Sequence, residues 1–200
     1  MVYDPASVNN GALSSTVGAM TRQVYQLKIT LSEVAPRIWR RVLIPGGYSL
    51  DRVHRVIQYA MGWLDCHLHS FDIDGSQYGE PDPDGELALR DELDARLDAV
   101  ALKGSQFTYT YDFGDWWEHE VLVEDVFPAE SGERYPCCVD GERACPPEDV
   151  GGVRGFLELV DALGDVDHPR HFAWREWLGR RYDPEIFVPD LASTLLRRMA

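Results

Sequence analysis

The chain has 200 residues, 44% hydrophobic and 11% aromatic, with 34 acidic and 19 basic side chains and a formal net charge of −15. That length and apolar content describe a globular domain with its own core, and no apolar run approaches the roughly 18 residues that a membrane-spanning helix needs. Four cysteines, two of them adjacent at Cys137 and Cys138, are too few for a disulfide-stapled secreted framework and read as reduced thiols.

Met1 to Thr21 is mostly small and polar, without the basic start and apolar stretch of a secretory signal. It reads as a flexible tail on a single cytoplasmic domain spanning residues 22–200. From Val24 the apolar residues alternate through Tyr25, Leu27, Ile29 and Leu31, the period of a strand with one buried face. A second strand is predicted over Ile38 to Ile44, closing a hairpin before the breaker Pro45-Gly46-Gly47. Ser49 then caps a predicted helix whose apolar positions Leu50, Val53, Val56, Ile57, Ala60 and Met61 recur at helical spacing up to Gly62. Alternation returns from His67 to Ile73, and an acidic loop rich in proline and glycine follows from Asp74 to about Glu86.

A short ordered element is predicted across Leu93 to Leu102. Two strands, Gln106 to Tyr111 and Glu118 to Phe127, are joined by the turn Asp112-Phe113-Gly114-Asp115. The stretch from Pro128 to Gly152 holds prolines, glycines and three cysteines and reads as a long ordered loop or as a site. The last 48 residues have helical patterns around Phe156 to Leu163, Phe172 to Leu178 and Leu191 to Leu196. Strands first and helices last predict an α+β fold: an antiparallel sheet, a helix after the first hairpin and a C-terminal helical segment.

The charge is unevenly placed. Asp72 to Val150 holds 22 acidic against five basic residues, whereas Arg22 to Phe71 holds three acidic against seven basic. An acidic surface works against the counterion release that drives polyanion binding, so nucleic-acid binding over the whole surface is not expected. A local cluster, Arg37, Arg40 and Arg41 beside Trp39, with Arg52 and Arg55 on the next helix, is a candidate contact for an anion or nucleic acid. Equally, these arginines fit a solvated face or partners for the acidic middle third.

The sharpest chemical feature is His67-Leu68-His69. Residues two apart on a strand share a face, and paired imidazoles suit a divalent metal. His119, on a strand that can pair nearby, is a third candidate ligand, with Asp115 or Cys145 completing the set and Glu118 or Asp112 as proton acceptors for a metal-activated water. Zinc is the favoured ion. The same histidines also fit polar positions on a solvated strand face, or a satisfied histidine in the core. Cys138 and Cys145 are soft donors, but their spacing is not that of a paired-cysteine zinc motif, and packing as small apolar groups explains them equally well. Asp112-Phe113-Gly114 lacks any glycine-rich phosphate loop or nucleotide-cofactor motif and reads as a turn. Of the pair Trp116 and Trp117, one is expected in the core and one at the surface. Asp82, Asp84, Glu86, Asp91 and Glu92 lack the spacing of a calcium-binding helix-loop-helix and read as a solvated loop.

Several segments in fixed order carry a resemblance: Pro36-Arg37-Ile38-Trp39-Arg40-Arg41, Leu50 to Trp63, His67-Leu68-His69-Ser70-Phe71, Tyr111 to His119, and Ala144-Cys145-Pro146-Pro147-Glu148-Asp149, with Trp177-Leu178-Gly179 and Tyr182 to Phe187 beyond. Together they resemble the plasmid pRiA ORF-three-like family from about Val24 to Leu196. The family has no established biochemical role. Some of its members travel in insertion elements and are labelled resolvase-like, which implies a second function: an accessory protein of mobile elements that contacts nucleic acid or a protein partner through the arginine cluster. The family pattern usually has a further cysteine where this chain has Val150, so the resemblance favours a mixed His/Cys/Asp metal site over an all-cysteine one.

Overall fold

The structure, a computed structural model, describes residues 22–81, 89–179 and 182–199. The expected tail, Met1 to Thr21, and the acidic residues Asp82, Asp84 and Glu86 lie outside the described residues. Strands β1 (Gln23–Leu31) and β2 (Trp39–Pro45) form the expected hairpin, followed by helix α1 (Leu50–Met61). β3 (His69–Ile73), β4 (Ser76–Gly79), β5 (Arg90–Asp91), the single turn α2 (Leu97–Val100), β6 (Gln106–Tyr111), β7 (Trp117–Pro128) and β8 (Cys137–Glu142) come next. Helices α3 (Gly152–Gly164), α4 (His171–Leu178) and α5 (Pro189–Leu196), with a short 3-10 turn at Arg197–Met199, close the described chain.

The strands make one eight-stranded sheet in the order β5-β4-β3-β6-β7-β1-β2-β8, antiparallel except where β4 meets β5. The fold is therefore α+β, with strands early and helices late. Burial explains why the alternating segments pair as they do. Tyr25, Leu27, Ile29 and Leu31 of β1 and Trp117, Val121 and Val123 of β7 enter the core, while intervening residues such as Lys28 and Glu120 stay out of it. A one-residue slip would turn that whole set outward, so burial of one face sets the register. Leu27 sits opposite Val42 and Val123.

Helix α1 covers the inner face with Leu50, Val53, Val56 and Ile57. It stops at Gly62, whose φ of 96° lies in the left-handed region and whose N–H donates to Gln58 O at 2.8 Å. Only glycine enters that region without steric cost, which makes it a common helix stop. Ser49 stands at the N-terminal boundary but bonds the Asp51 carboxylate instead of a backbone N–H.

Two segments depart from the sequence reading: β4 lies within the expected acidic loop and β8 within the expected long loop. The short ordered element expected across Leu93 to Leu102 is the single turn α2. β8 runs Cys137 to Glu142 with just one fully buried side chain, Cys138, and a glycine where a Cβ would stand 2.7 Å from Trp39 O, so it shows no alternation to read. α5 supports this edge: Ser193 Oγ accepts from Cys138 N at 2.9 Å and donates to Cys138 O at 2.7 Å.

Candidate functional site

Three segments converge at one end of the sheet: the bend before β3, the β6–β7 turn and the loop after β8. The bend contributes His67. Its Nε2 is buried without a hydrogen-bond partner among the described residues, yet it lies 3.2 Å from Asp149 Oδ1, 3.6 Å from Asp112 Oδ2 and 4.0 Å from Glu148 Oε2.

Each of two of these carboxylates is anchored through its other oxygen. Asp112 Oδ1 accepts from Gly114 N at 2.9 Å. Glu148 Oε1 accepts from Leu64 N at 2.8 Å and from the Tyr111 hydroxyl at 3.1 Å. That leaves Asp112 Oδ2 and Glu148 Oε2 directed to the imidazole. Glu148 Oε2 is itself buried without a hydrogen-bond partner among the described residues. Donors that share a zinc at about 2.0–2.2 Å stand roughly 3.3–3.6 Å apart. Cys66 adds a thiol, and Cys66, His67 and Glu148 each offer a ligand atom within 4.8 Å of the others, as do His67, Asp112 and Asp149.

Backbone geometry positions the set. Asp112 and Asp149 have φ of 56° and 57°, a region that aspartate tolerates better than most residues. Asp112 N donates to Leu68 O at 2.8 Å, tying the β6–β7 turn to the histidine bend. The indole N–H of Trp63 donates to Pro146 O at 3.0 Å and holds the loop that carries Glu148.

The other expected ligands go elsewhere. The paired imidazoles of His67 and His69 do not act together, because the strand begins only at His69 and His67 precedes it in the bend. His69 is buried; its Nε2 lies 2.7 Å from Glu92 Oε2 and its ring stacks on His54 with centroids 3.5 Å apart and planes 5° from parallel. His54 Nε2 in turn meets Asp65 Oδ1 at 2.7 Å, and its Nδ1 meets the Tyr109 hydroxyl at 2.7 Å. Gln58 Nε2 donates to that hydroxyl at 3.0 Å, so the tyrosine proton is left for His54 Nδ1 and the His54 Nε2 proton for Asp65. This stack lines a cleft of about 690 Å³ that also reaches Cys66 and His67.

His119 is a correction of a different kind. It lies wholly in the core, on the inner face of β7, where its Nδ1 donates to Tyr109 O at 3.3 Å. Burial lowers its pKa to about 4. Strand β6 separates β3 from β7, His69 is engaged by Glu92 and His54, and neither His69 nor His119 joins a donor group among the described residues. Asp115 also serves structure: its Oδ2 accepts from Gly151 N at 3.0 Å, which fixes the loop behind Asp149. The Cys145 thiol is pushed well above the usual thiol range by burial and joins neither donor group among the described residues. Glu118, offered as a proton acceptor, points to solvent on β7, and Asp112, the other, belongs to the donor set.

The arginine cluster disperses as well. Arg40 is 1% exposed, its Nε donating to Ala60 O at 2.9 Å and its Nη1 to Trp39 O and Glu142 O at 2.8 and 2.9 Å, with Phe187 stacked on the guanidinium at 3.7 Å. A cation there complements the carbonyl end of α1. Arg41 pairs with Glu124 at 2.6 Å and Asp140 at 3.0 Å, and Arg37 alone of the three is exposed. Trp117 is in the core and Trp116 is exposed, as expected. The sequence reading missed Cys66, Glu148 and Asp149 as donors. Cys66 directly precedes His67, and the pair Glu148-Asp149 closes the Pro-Pro loop, but nothing in their spacing joins them across 80 residues.

Residues 23–191 match the family described as plasmid pRiA4b ORF-3-like protein. The chain is 41% identical over 162 residues to the uncharacterized protein y4hQ of Sinorhizobium fredii (strain NBRC 101917 / NGR234), covering 80% of this chain and 83% of that one. It also resembles the crystal structure of MM3350, a protein of unknown function from Methanosarcina mazei Go1, with a TM-score of 0.79 and 37% identity over 85% of this chain and 97% of the other. The chain belongs to the plasmid pRiA4b ORF-3-like family.

Proposed function

We propose that this protein binds a divalent metal, zinc foremost, at a centre built on His67 Nε2 with carboxylates drawn from Asp112, Asp149 and Glu148. The observation that carries this reading is the buried, unpartnered imidazole nitrogen with three carboxylate oxygens at 3.2–4.0 Å, near the spacing of neighbouring ligands on one ion. A buried nitrogen among acidic oxygens with no hydrogen bond is costly unless a proton or a cation satisfies it. The anchoring bonds from Gly114, Leu64 and Tyr111 supply the outer support that ligand carboxylates use. A zinc held by these residues would supply a Lewis acid able to lower the pKa of a bound water to about 7, with the exposed Asp149 on the solvent side.

Elemental analysis of protein purified without a histidine tag tests this reading. About one equivalent of metal is expected in the wild type, and a loss of most of it in His67→Ala with folding retained. Metal well below one equivalent after incubation with zinc, or binding unchanged by His67→Ala, overturns it.

A further inference from the structure

We infer that the centre sorts metal ions by softness, through two donor sets that share the His67 imidazole. The inference rests on the metal-binding reading and adds the role of Cys66. One set is Cys66, His67 and Glu148; the other is His67, Asp112 and Asp149. Both draw on His67, whose Nε2 faces Glu148 as well as Asp112 and Asp149, and one imidazole nitrogen bonds one ion at a time. An ion therefore settles toward the thiol set or toward the carboxylate set.

The first set is held together by one hydroxyl. Tyr111 accepts from Cys66 N at 3.1 Å and donates to Glu148 Oε1 at 3.1 Å, so the backbone of Cys66 and the Glu148 carboxylate share an anchor. Cys66 Sγ stands 3.7 Å from that hydroxyl, and the residue is exposed, so the thiol can rotate without disturbing the core. Ligands on one zinc at about 2.3 Å for sulfur and 2.1 Å for nitrogen stand roughly 3.6 Å apart, which atoms within 4.8 Å reach by a shift of about 1 Å. The second set is held by the Gly114 bond to Asp112 and by the Asp115–Gly151 bond beside Asp149.

A thiolate is a soft donor that selects zinc and cobalt(II), whereas carboxylates suit manganese and magnesium. Cys66 thus decides which ion the centre prefers. It joins as the thiolate, its proton passing to solvent as the sulfur–metal bond forms.

Cobalt(II), zinc and manganese(II), each added to the metal-free full chain, test this. Wild-type protein with cobalt is expected to show sulfur-to-cobalt charge-transfer absorption, and Cys66→Ser and Cys66→Ala are expected to lack it. Both variants should lose at least about tenfold in zinc affinity and keep manganese affinity. Asp149→Asn should do the reverse, weakening manganese more than zinc. Cobalt bound at one equivalent without the charge-transfer band, or zinc and manganese weakened equally by Cys66→Ser, overturns the sorting and leaves the metal reading standing. If none of the three ions binds, both readings fall. Urea denaturation of each variant separates lost ligation from lost folding.

Discussion

His67 and His119 carry the same side chain in opposite settings. His67 stands in a bend among carboxylates, whereas His119 faces inward from β7 and is held neutral by burial. The pKa values of His119 and His54 are both lowered to about 4, in each case first by burial and, for His54, next by the charge of the stacked His69. Each is therefore less protonated in the folded chain than in the unfolded chain between about pH 6.5 and 4. Their contribution to stability is full above pH 6.5 and is lost as pH falls through that window, at up to about 1.4 kcal/mol per pH unit for each group. Urea denaturation from pH 7 to 4.5 should show this decline. His119→Leu should flatten it while leaving bound metal unchanged, because His119 touches no member of the donor set. Tyr111→Phe is the complementary case. It removes the hydroxyl shared by Cys66 and Glu148, and metal affinity measured by chelator competition should fall about 10–100-fold with little change in the folded state.

The elements differ in how far the sequence foretells them. β1, β2, β6 and β7 were legible because one buried face writes period-two alternation into the chain, and α1 because its apolar stripe runs into Gly62. β4 and β8 were not: β4 has four residues, β8 has as many as β6 but buries only Cys138, and their places come from pairing with β3 and β2 more than from apolar content of their own. The loop after β8 is set by close backbone approach. At Gly152, with φ of 65°, a Cβ would stand 2.7 Å from Asp115 O, a backbone atom that cannot rotate away. Gly152→Ala should cost about 1–3 kcal/mol of stability in urea denaturation and loosen the segment carrying Glu148 and Asp149. A correspondingly weaker metal affinity is the second readout.

Across the whole molecule, the acidic middle third contains every carboxylate of the donor set, while in the basic first third Arg40 and Arg41 are held by contacts within the chain and Arg22, Arg37, Arg52 and Arg55 stay exposed. Arg40 is buried under Phe187, Arg41 is paired with Glu124 and Asp140, and Arg55 lies 3.8 Å from Asp51. A duplex DNA probe followed by fluorescence anisotropy at low salt is therefore expected to show no binding, and salt-dependent binding would revive the nucleic-acid reading. Among the described residues, no helix is long and apolar enough to cross a membrane.

The sequence by itself determined the class of fold, the hairpin, the first helix, the late helices and the concentration of acid, because these rest on periodicity and local composition that neighbouring residues carry together. It also marked His67 and Asp112, which sit in short motifs. Only the tertiary structure decided which histidine meets which carboxylate. His67, Asp112 and Glu148 are far apart in the chain and are brought together by the pairing of β3 with β6, while the same pairing sends His69 to Glu92 and leaves His119 in the core. Contacts of that length follow from strand order, which local sequence does not encode.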